Sequence, residues 1–308
     1  MPSASQIREQ VARETHRRTR LSVAAFGGGV LYLLSGIIIG QALRGAPTVG
    51  LVQGLSPALS GVANPAVSPR AQEVRFISHQ SFPLIAGSVL AALAIGVLVL
   101  ILLVLLDATR FRNPGGWSAA RPLVIGGGIA LAIVSVGHQL VSSIETHNFL
   151  VGHDFSNHAV DNTLTNGAAN LIGEYLDLIA GVALAAGMVG TSVSALRVGL
   201  LPRWMGFVGM VTGVLIFLPL GGVLQEFVPA FWMVMMGLLY AGRWPNGEPP
   251  AWAAGEAIPW PSQASRRAGR LGTGAPALAT AGADVAPVPE PATKSSSRRR
   301  RRKGGARG

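Results

Sequence analysis

The sequence predicts an all-α, polytopic membrane protein with six transmembrane helices and both termini in the cytoplasm. Composition is the first reason: 49% of the 308 residues are apolar, only 13% are charged, and mean hydropathy is +0.44, whereas a soluble domain carries about 25% charged residues. The second is that six apolar stretches alternate with connectors. The third is charge: lysine and arginine crowd every second connector, with 22 on one side of the bundle and 3 on the other. Basic connectors are retained in the cytoplasm, so this imbalance orients the chain. An even number of spans then returns the C-terminus to the side of the N-terminus.

Residues 1–20 are a basic N-terminus with five arginines. The apolar run that follows, Leu21 to Leu43, is too long for the core of a cleavable signal peptide, about 7–15 residues, and reads as the first retained span. Glu9 and Glu14 speak against a mitochondrial presequence. A helix rises about 1.5 Å per residue and a hydrocarbon core is about 30 Å thick, so a span takes about 20 residues. Stretches of that kind cover 21–43, 83–106, 122–143 and 169–193. The shorter runs 204–220 and 224–242 cannot be one helix, which would extend to about 58 Å. Pro219, Gly221, Gly222 and Pro229 mark a tight hairpin between them. In the 44–82 connector, Ala71–Phe82 suits a short helix on the outer surface with Val74, Phe76, Ile77 and Phe82 toward lipid; an ordinary loop is the alternative. From Trp244 the chain is rich in Pro, Gly, Ala and Ser and has little apolar surface to offset the entropy of ordering. Residues 244–308 are therefore expected to be a disordered cytoplasmic tail.

The absence of cysteine excludes disulfides, thiolate catalysis and cysteine-ligated metals. Arginine outnumbers lysine 23 to 2, and alanine and glycine abound, as in chains from GC-rich bacterial genomes. Small residues recur at helix-packing intervals: Gly28, Tyr32, Gly36 and Gly40 in the first span, Gly209 and Gly213 in the fifth. Such faces let helices approach closely in lipid, either within the bundle or between two copies of the chain.

The polar residues that bear on function fall in the third and fourth spans. Ser135, His138, Ser142 and Glu145 share one helical face, with Gln139 beside them, and Asn170, Glu174, Asp177 and Gly181 share another. If the third span begins at Pro122, His138 lies about 24 Å along it, and Glu174 and Asp177 lie about 6–11 Å inside the same outer boundary. The two faces match in depth, and helices joined by a short loop are usually neighbours. Ionisable groups at membrane depth face a cavity or a partner. The cluster reads either as a proton- or cation-binding site open to the outside or as an interhelical hydrogen-bond clasp. The connector between these spans carries His147, His153, Asp154 and His158, whose spacing matches no metal motif; a solvated loop is the default, and neither metal nor cofactor is assigned.

Near the C-terminus, Arg298, Arg299, Arg300, Arg301, Arg302 and Lys303 follow three serines. Basic residues near an anionic membrane are worth about 1 kcal/mol each, which suggests lipid binding by this run. RNA or ribosome contact is a further reading, with no aromatic side chain in the run to stack on bases, and a plain topogenic tail is another.

Three segments carry a resemblance: Leu106-Asp107-Ala108-Thr109-Arg110-Phe111-Arg112-Asn113-Pro114, Ala195-Leu196-Arg197-Val198-Gly199-Leu200-Leu201-Pro202-Arg203-Trp204-Met205-Gly206, and Trp244-Pro245-Asn246-Gly247-Glu248-Pro249-Pro250-Ala251-Trp252. Together they resemble uncharacterised six-span integral membrane proteins of actinobacteria and related high-GC bacteria, over roughly residues 70–262. The resemblance implies a bacterial origin and a six-span bundle, and no activity.

The expected protein is therefore a multi-pass protein of the bacterial cytoplasmic membrane. In the absence of a catalytic constellation, a non-enzymatic scaffold or regulatory role leads. The alternatives are a small proton- or cation-coupled permease using the polar faces of spans three and four, and a membrane-embedded metal enzyme in which His138, Glu145 and the loop histidines would converge.

Overall fold

A computed structural model describes residues 3–47, 49–50, 59, 61, 67–152, 154–218, 223–245 and 247–260. Helices α1 (Ala4–Ala42), α2 (Ala71–His79), α3 (Ser81–Arg112), α4 (Ala120–Gly152), α5 (Asn157–Asp161), α6 (Ala168–Val198), α7 (Arg203–Phe217), α8 (Val223–Tyr240) and α9 (Pro250–Ala254) succeed one another, with a π-helical turn at Asn162–Asn166 leading into α6. No strand occurs among the described residues. Four helices, α1, α3, α4 and the segment ending in α6, are long and apolar enough to cross a membrane, and α7 and α8 are shorter apolar helices.

α1 begins far earlier than the first apolar residue. Ser3 caps it reciprocally with Gln6, and no breaker interrupts residues 4–20, so one helix of 39 residues, about 58 Å, carries both the basic N-terminus and the first span. α4 likewise runs past residue 143, where its span was expected to stop, and ends at Gly152. The hairpin expectation is corrected at one residue: Pro229 lies inside α8 rather than in the turn. The other expected turn residues, Pro219, Gly221 and Gly222, lie outside the described residues.

The long helices close a ring. α1 packs on α3 and α8, α4 on α3 and α6, and α7 on α6 and α8, while α3 also reaches α6. Glycines set the close approaches. A Cβ on Gly127 would meet the Leu184 amide and Ala183 of α6, one on Gly187 would lie 2.8 Å from Val124 Cγ2, and one on Gly29 would lie 2.8 Å from the Ala230 carbonyl oxygen of α8. Gly28 and Gly36 also face neighbours inside the bundle, as do Gly209 and Gly213 against α6, whereas a Cβ on Gly40 meets nothing. These small faces therefore join helices of one chain.

The dense core lies toward the arginine-rich end. Leu98, Ile101, Leu102 and Leu105 of α3 meet Leu184 and Met188 of α6 and Trp232, Met233, Met236 and Leu239 of α8. The polar atoms of its aromatic side chains are matched to backbone oxygens: Trp232 Nε1 donates to Met205 O at 3.2 Å and Tyr240 Oη to Ile101 O at 2.9 Å. At the opposite end a small second core, Ala71, Val74, Phe149 and Val160, pins α2 to the extension of α4 and to α5. Val74 is thus buried rather than lipid-facing, because the α4 extension supplies its partner; Phe82 is 83% exposed. Arg70 ties this cap to Glu73 at 3.2 Å and to Asp161 at 3.0 Å.

Of the tail expected to be disordered from Trp244, residues 244–245 and 247–260 are ordered, and the polybasic run at 298–303 lies outside the described residues. Ala251 and Trp252 of α9 belong to the main core, so two side chains supply what average composition lacked. Beside them the Arg112 guanidinium, with no exposed side-chain surface, meets the Glu14 carboxylate two-pronged, Nη1–Oε1 at 3.1 Å and Nη2–Oε2 at 2.9 Å. Removing one partner of such a pair strands a buried charge. Glu14→Ala should therefore lower unfolding free energy in micelles by about 3–5 kcal/mol, whereas Arg13→Ala, which breaks only an exposed pair with Glu9, should change it by about 0.5 kcal/mol or less; equal effects in a denaturation titration would contradict this.

Candidate functional site

The polar faces predicted on spans three and four do meet, but they do not form one cluster. α4 and α6 lie closest where glycine removes a side chain. At Gly173 a Cβ would stand 3.0 Å from His138 Cγ and 3.4 Å from His138 Cβ, so the imidazole of α4 packs on the backbone of α6. Asp177, one turn further along α6, lies within electrostatic reach of that ring. Its Oδ1 is enclosed and has no hydrogen-bond partner among the described residues.

The remaining predicted residues divide by role. Asn170 is buried, and its Nδ2 donates to Thr163 O at 2.7 Å, fastening the π-helical turn to the start of α6. Ser135 Oγ points back to Ala132 O at 3.4 Å, and Ser142 gives its carbonyl to Thr146 Oγ1 at 2.9 Å. Gln139 is half-buried on the same helix. These four stabilise their own segments or stand aside. Glu174 and Asp177 are the pair that faces open space.

That space is a cavity of about 300 Å³ between α6, the end of α7, the start of α8 and Leu131 of α4. Glu174, Asp177 and Gln225 supply its polar groups besides Tyr175, and Leu131, Leu178, Ile216 and Phe217 its apolar walls. Among the described residues no lysine, arginine or histidine lines it. α7 and α8 have 15 and 18 residues, about 22 and 27 Å, so they fall short of the length of α6. The first half of α6 is left with Ile172, Tyr175 and Ile179 exposed, and the cavity opens beside it.

Two residues of this region escaped the sequence reading. Gln225 joins the cavity wall, and Glu226 beside it turns to α1, where a Cβ on Gly36 would lie 2.6–2.7 Å from Glu226 Cγ, Cδ and Oε2. The glycine is a notch for the carboxyl group, and Tyr32, one turn away on α1, feels its charge. The signal was present: Glu226 is the only acid between Asp177 and Glu248, and a lone acid opening an apolar helix requires a local partner.

The described loop histidines, His147 and His158, do not assemble a metal site. Among the described residues no group of three His, Asp or Glu side chains could hold an ion, so the convergence of His138, Glu145 and the loop histidines required by a metal enzyme is not formed by these residues; His153 lies outside them. Asp154 instead accepts the Ser156 amide at 3.1 Å, and this bond, with the Ser156 hydroxyl, holds its carboxyl below the usual carboxylate range.

The contact between His138 and Gly173 yields a geometric test. Their Cβ positions suit a disulfide, so His138→Cys with Gly173→Cys in this cysteine-free chain should oxidise spontaneously to an intramolecular bond, read as a mobility shift reversed by reductant. A pair at 138 and 166 is the control, and no bond at 138–173 would contradict the α4–α6 register. In comparisons with family models, with curated proteins and with solved structures, nothing matches this chain.

Proposed function

We propose that the chain is a six-span protein of the bacterial cytoplasmic membrane with both termini in the cytoplasm, and that its acid-lined cavity takes up a small cation or protonated amine from the outer side, as the binding step of a proton- or cation-coupled permease. The observation that carries this reading is the pairing of Glu174 and Asp177 on the wall of a cavity with no basic side chain among its described lining residues. Carboxylates at membrane depth are costly without a counter-charge, and a transported cation or a proton supplies one. A cavity of about 300 Å³ is also at the small end of the range for organic ligands. The topology is supported by the distribution of arginine and by the long apolar helices.

A scaffold or regulatory role is the second reading, and one observation favours it. An apolar groove of about 630 Å³ runs along α6 and α7 between Trp117, Ala186, Val189, Val214 and Phe217, a surface suited to a neighbouring helix or acyl chain.

Uptake into proteoliposomes separates the two. Purified protein should accumulate radiolabelled sodium or methylammonium against protein-free vesicles. Asp177→Asn should lower uptake about ten-fold or more, the loss of one charged interaction, with denaturation unchanged. Uptake should also fall as the outer solution is acidified, because protonation removes the carboxylate charge. No uptake by the wild type, or uptake indifferent to Asp177→Asn, would favour the scaffold.

A further inference from the structure

Residues 244–260 cross the arginine-rich end of the bundle as a strap, and its bonds go to the ends of four helices. The last carbonyls of a helix lack intrahelical donors, and at α6 and the turn after it the strap provides them. Ile258 N donates to Val198 O at 3.1 Å, Trp252 Nε1 to Leu200 O at 2.9 Å, and Trp260 Nε1 to Leu201 O at 2.7 Å. The approach is so close that Gly199, at φ +80°, has the Ile258 carbonyl where a Cβ would be. From α7, Trp204 stacks on Trp244 with centroids 5.7 Å apart, and Arg203 donates to Trp260 O at 3.3 Å. From α1, Arg18 pairs with Glu248, and Ile7 and Val11 pack on Gly255. From α3, Arg112 Nε donates to Ala251 O at 3.0 Å.

Trp252 is where these ties converge. It is 1% exposed, with the Arg18 guanidinium 4.3 Å from its centroid, that of Arg112 at 5.5 Å, and Tyr240 edge-on at 6.2 Å. Two cations on one indole form a favourable contact that exists only while the strap is seated. Gly242 at φ +69° and Gly247 at φ +80° precede α9, and Gly255 at φ +69° follows it, so left-handed glycines stand where the chain would swing. Pro245, Pro249, Pro250 and Pro259 restrict the released strap and so reduce the entropy lost on reseating.

We infer that residues 244–260 are a releasable latch that closes the arginine-rich end of the bundle, with Trp252 as its keystone. Its meaning for transport rests on the permease reading: a cavity loaded from the outer end can discharge inward only if the opposite end opens, and the strap is the part bonded across that end without belonging to a spanning helix. Unlatching would uncover the end of α6 at Ala195 and the core side chains of α7 and α3 around it.

The chain has no cysteine, so single reporters are clean. Ala195→Cys lies in the last turn of α6, whose end at Val198 the strap binds, and Ala94→Cys lies in the middle of α3, and both positions are fully buried. In detergent micelles each should react slowly with a maleimide. Adding Trp252→Ala should speed labelling at 195 about ten-fold or more by raising the population of the open form, leave 94 slow, and Glu248→Gln should produce a smaller rise. Unchanged labelling at 195, or equal acceleration at both positions, would overturn the latch, the second outcome making the strap an inseparable part of the fold. This readout needs no transported substrate, so a failure of uptake leaves it standing. If the wild type does take up cation, a disulfide between Val11→Cys and Gly255→Cys should stop uptake and reductant restore it; uptake that continues with the bond intact would equally reject the latch.

Discussion

The Arg112 guanidinium is the constraint on which the arginine-rich end depends. It sits at the last residue of α3 with no exposed side-chain surface, where a charge is tolerated only if its donors are met. Four hydrogen bonds meet them: two from Glu14 of α1, one from Ala108 of its own helix and one from Ala251 of the strap. Because the acceptors come from three different parts of the chain, the charge fixes the N-terminal extension of α1 against α3 and seats α9 over both. Its position at a helix C-terminus adds the favourable field of the helix dipole. Trp252 then packs on the same guanidinium and carries the constraint to α6 through Leu200.

The two ends of the bundle consequently differ in kind. At one end, a buried ion pair, Arg112 with Glu14, is formed, aromatic N–H groups are satisfied and the core is dense. At the other, α7 and α8 are short, the first half of α6 is exposed, and no arginine or lysine among the described residues lines the cavity of Glu174 and Asp177. A bundle held together at one end and acid-lined and open at the other is the asymmetry on which the proposed uptake of cations from a single side rests. The strap gives that asymmetry a movable part, and the glycine notches at Gly36 and Gly173, which seat Glu226 and His138, show ionisable groups built into helix contacts rather than placed at random in lipid.

Apolar length made the helices legible in the sequence: the stretches 83–106, 122–143 and 169–193 lie within helices, and most of 21–43, 204–220 and 224–242 does, with residues 219–220 outside the described ones. Helix ends were less legible, because hydropathy marks the passage into water and not the end of the hydrogen-bond ladder: α1 and α4 both continue through polar residues. The matching of His138 in depth with α6 was readable from spacing and rise. That Asp177 turns to a cavity shared with Gln225 was not, because it depends on how far α7 and α8 reach. The strap was missed for a related reason. Average composition from Trp244 onward is that of a linker, yet Ala251 and Trp252 bury fully, and their partners, Arg18, Arg112 and Leu200, lie far away in sequence.

On the proposed reading, one end of the bundle is open to water as far as Asp177 while the other is closed. A spin-label scan along α6, one cysteine at a time from 170 to 195 in reconstituted protein, measures this directly through collisions with a water-soluble nickel chelate and with oxygen. The expected profile shows nickel contact on the face of Glu174 and Asp177, recurring with the helical period, and falling away beyond Gly181 so that Ala195 is shielded from both. A face at Asp177 that oxygen reaches and nickel does not, or nickel contact continuing to Ala195, would contradict the account.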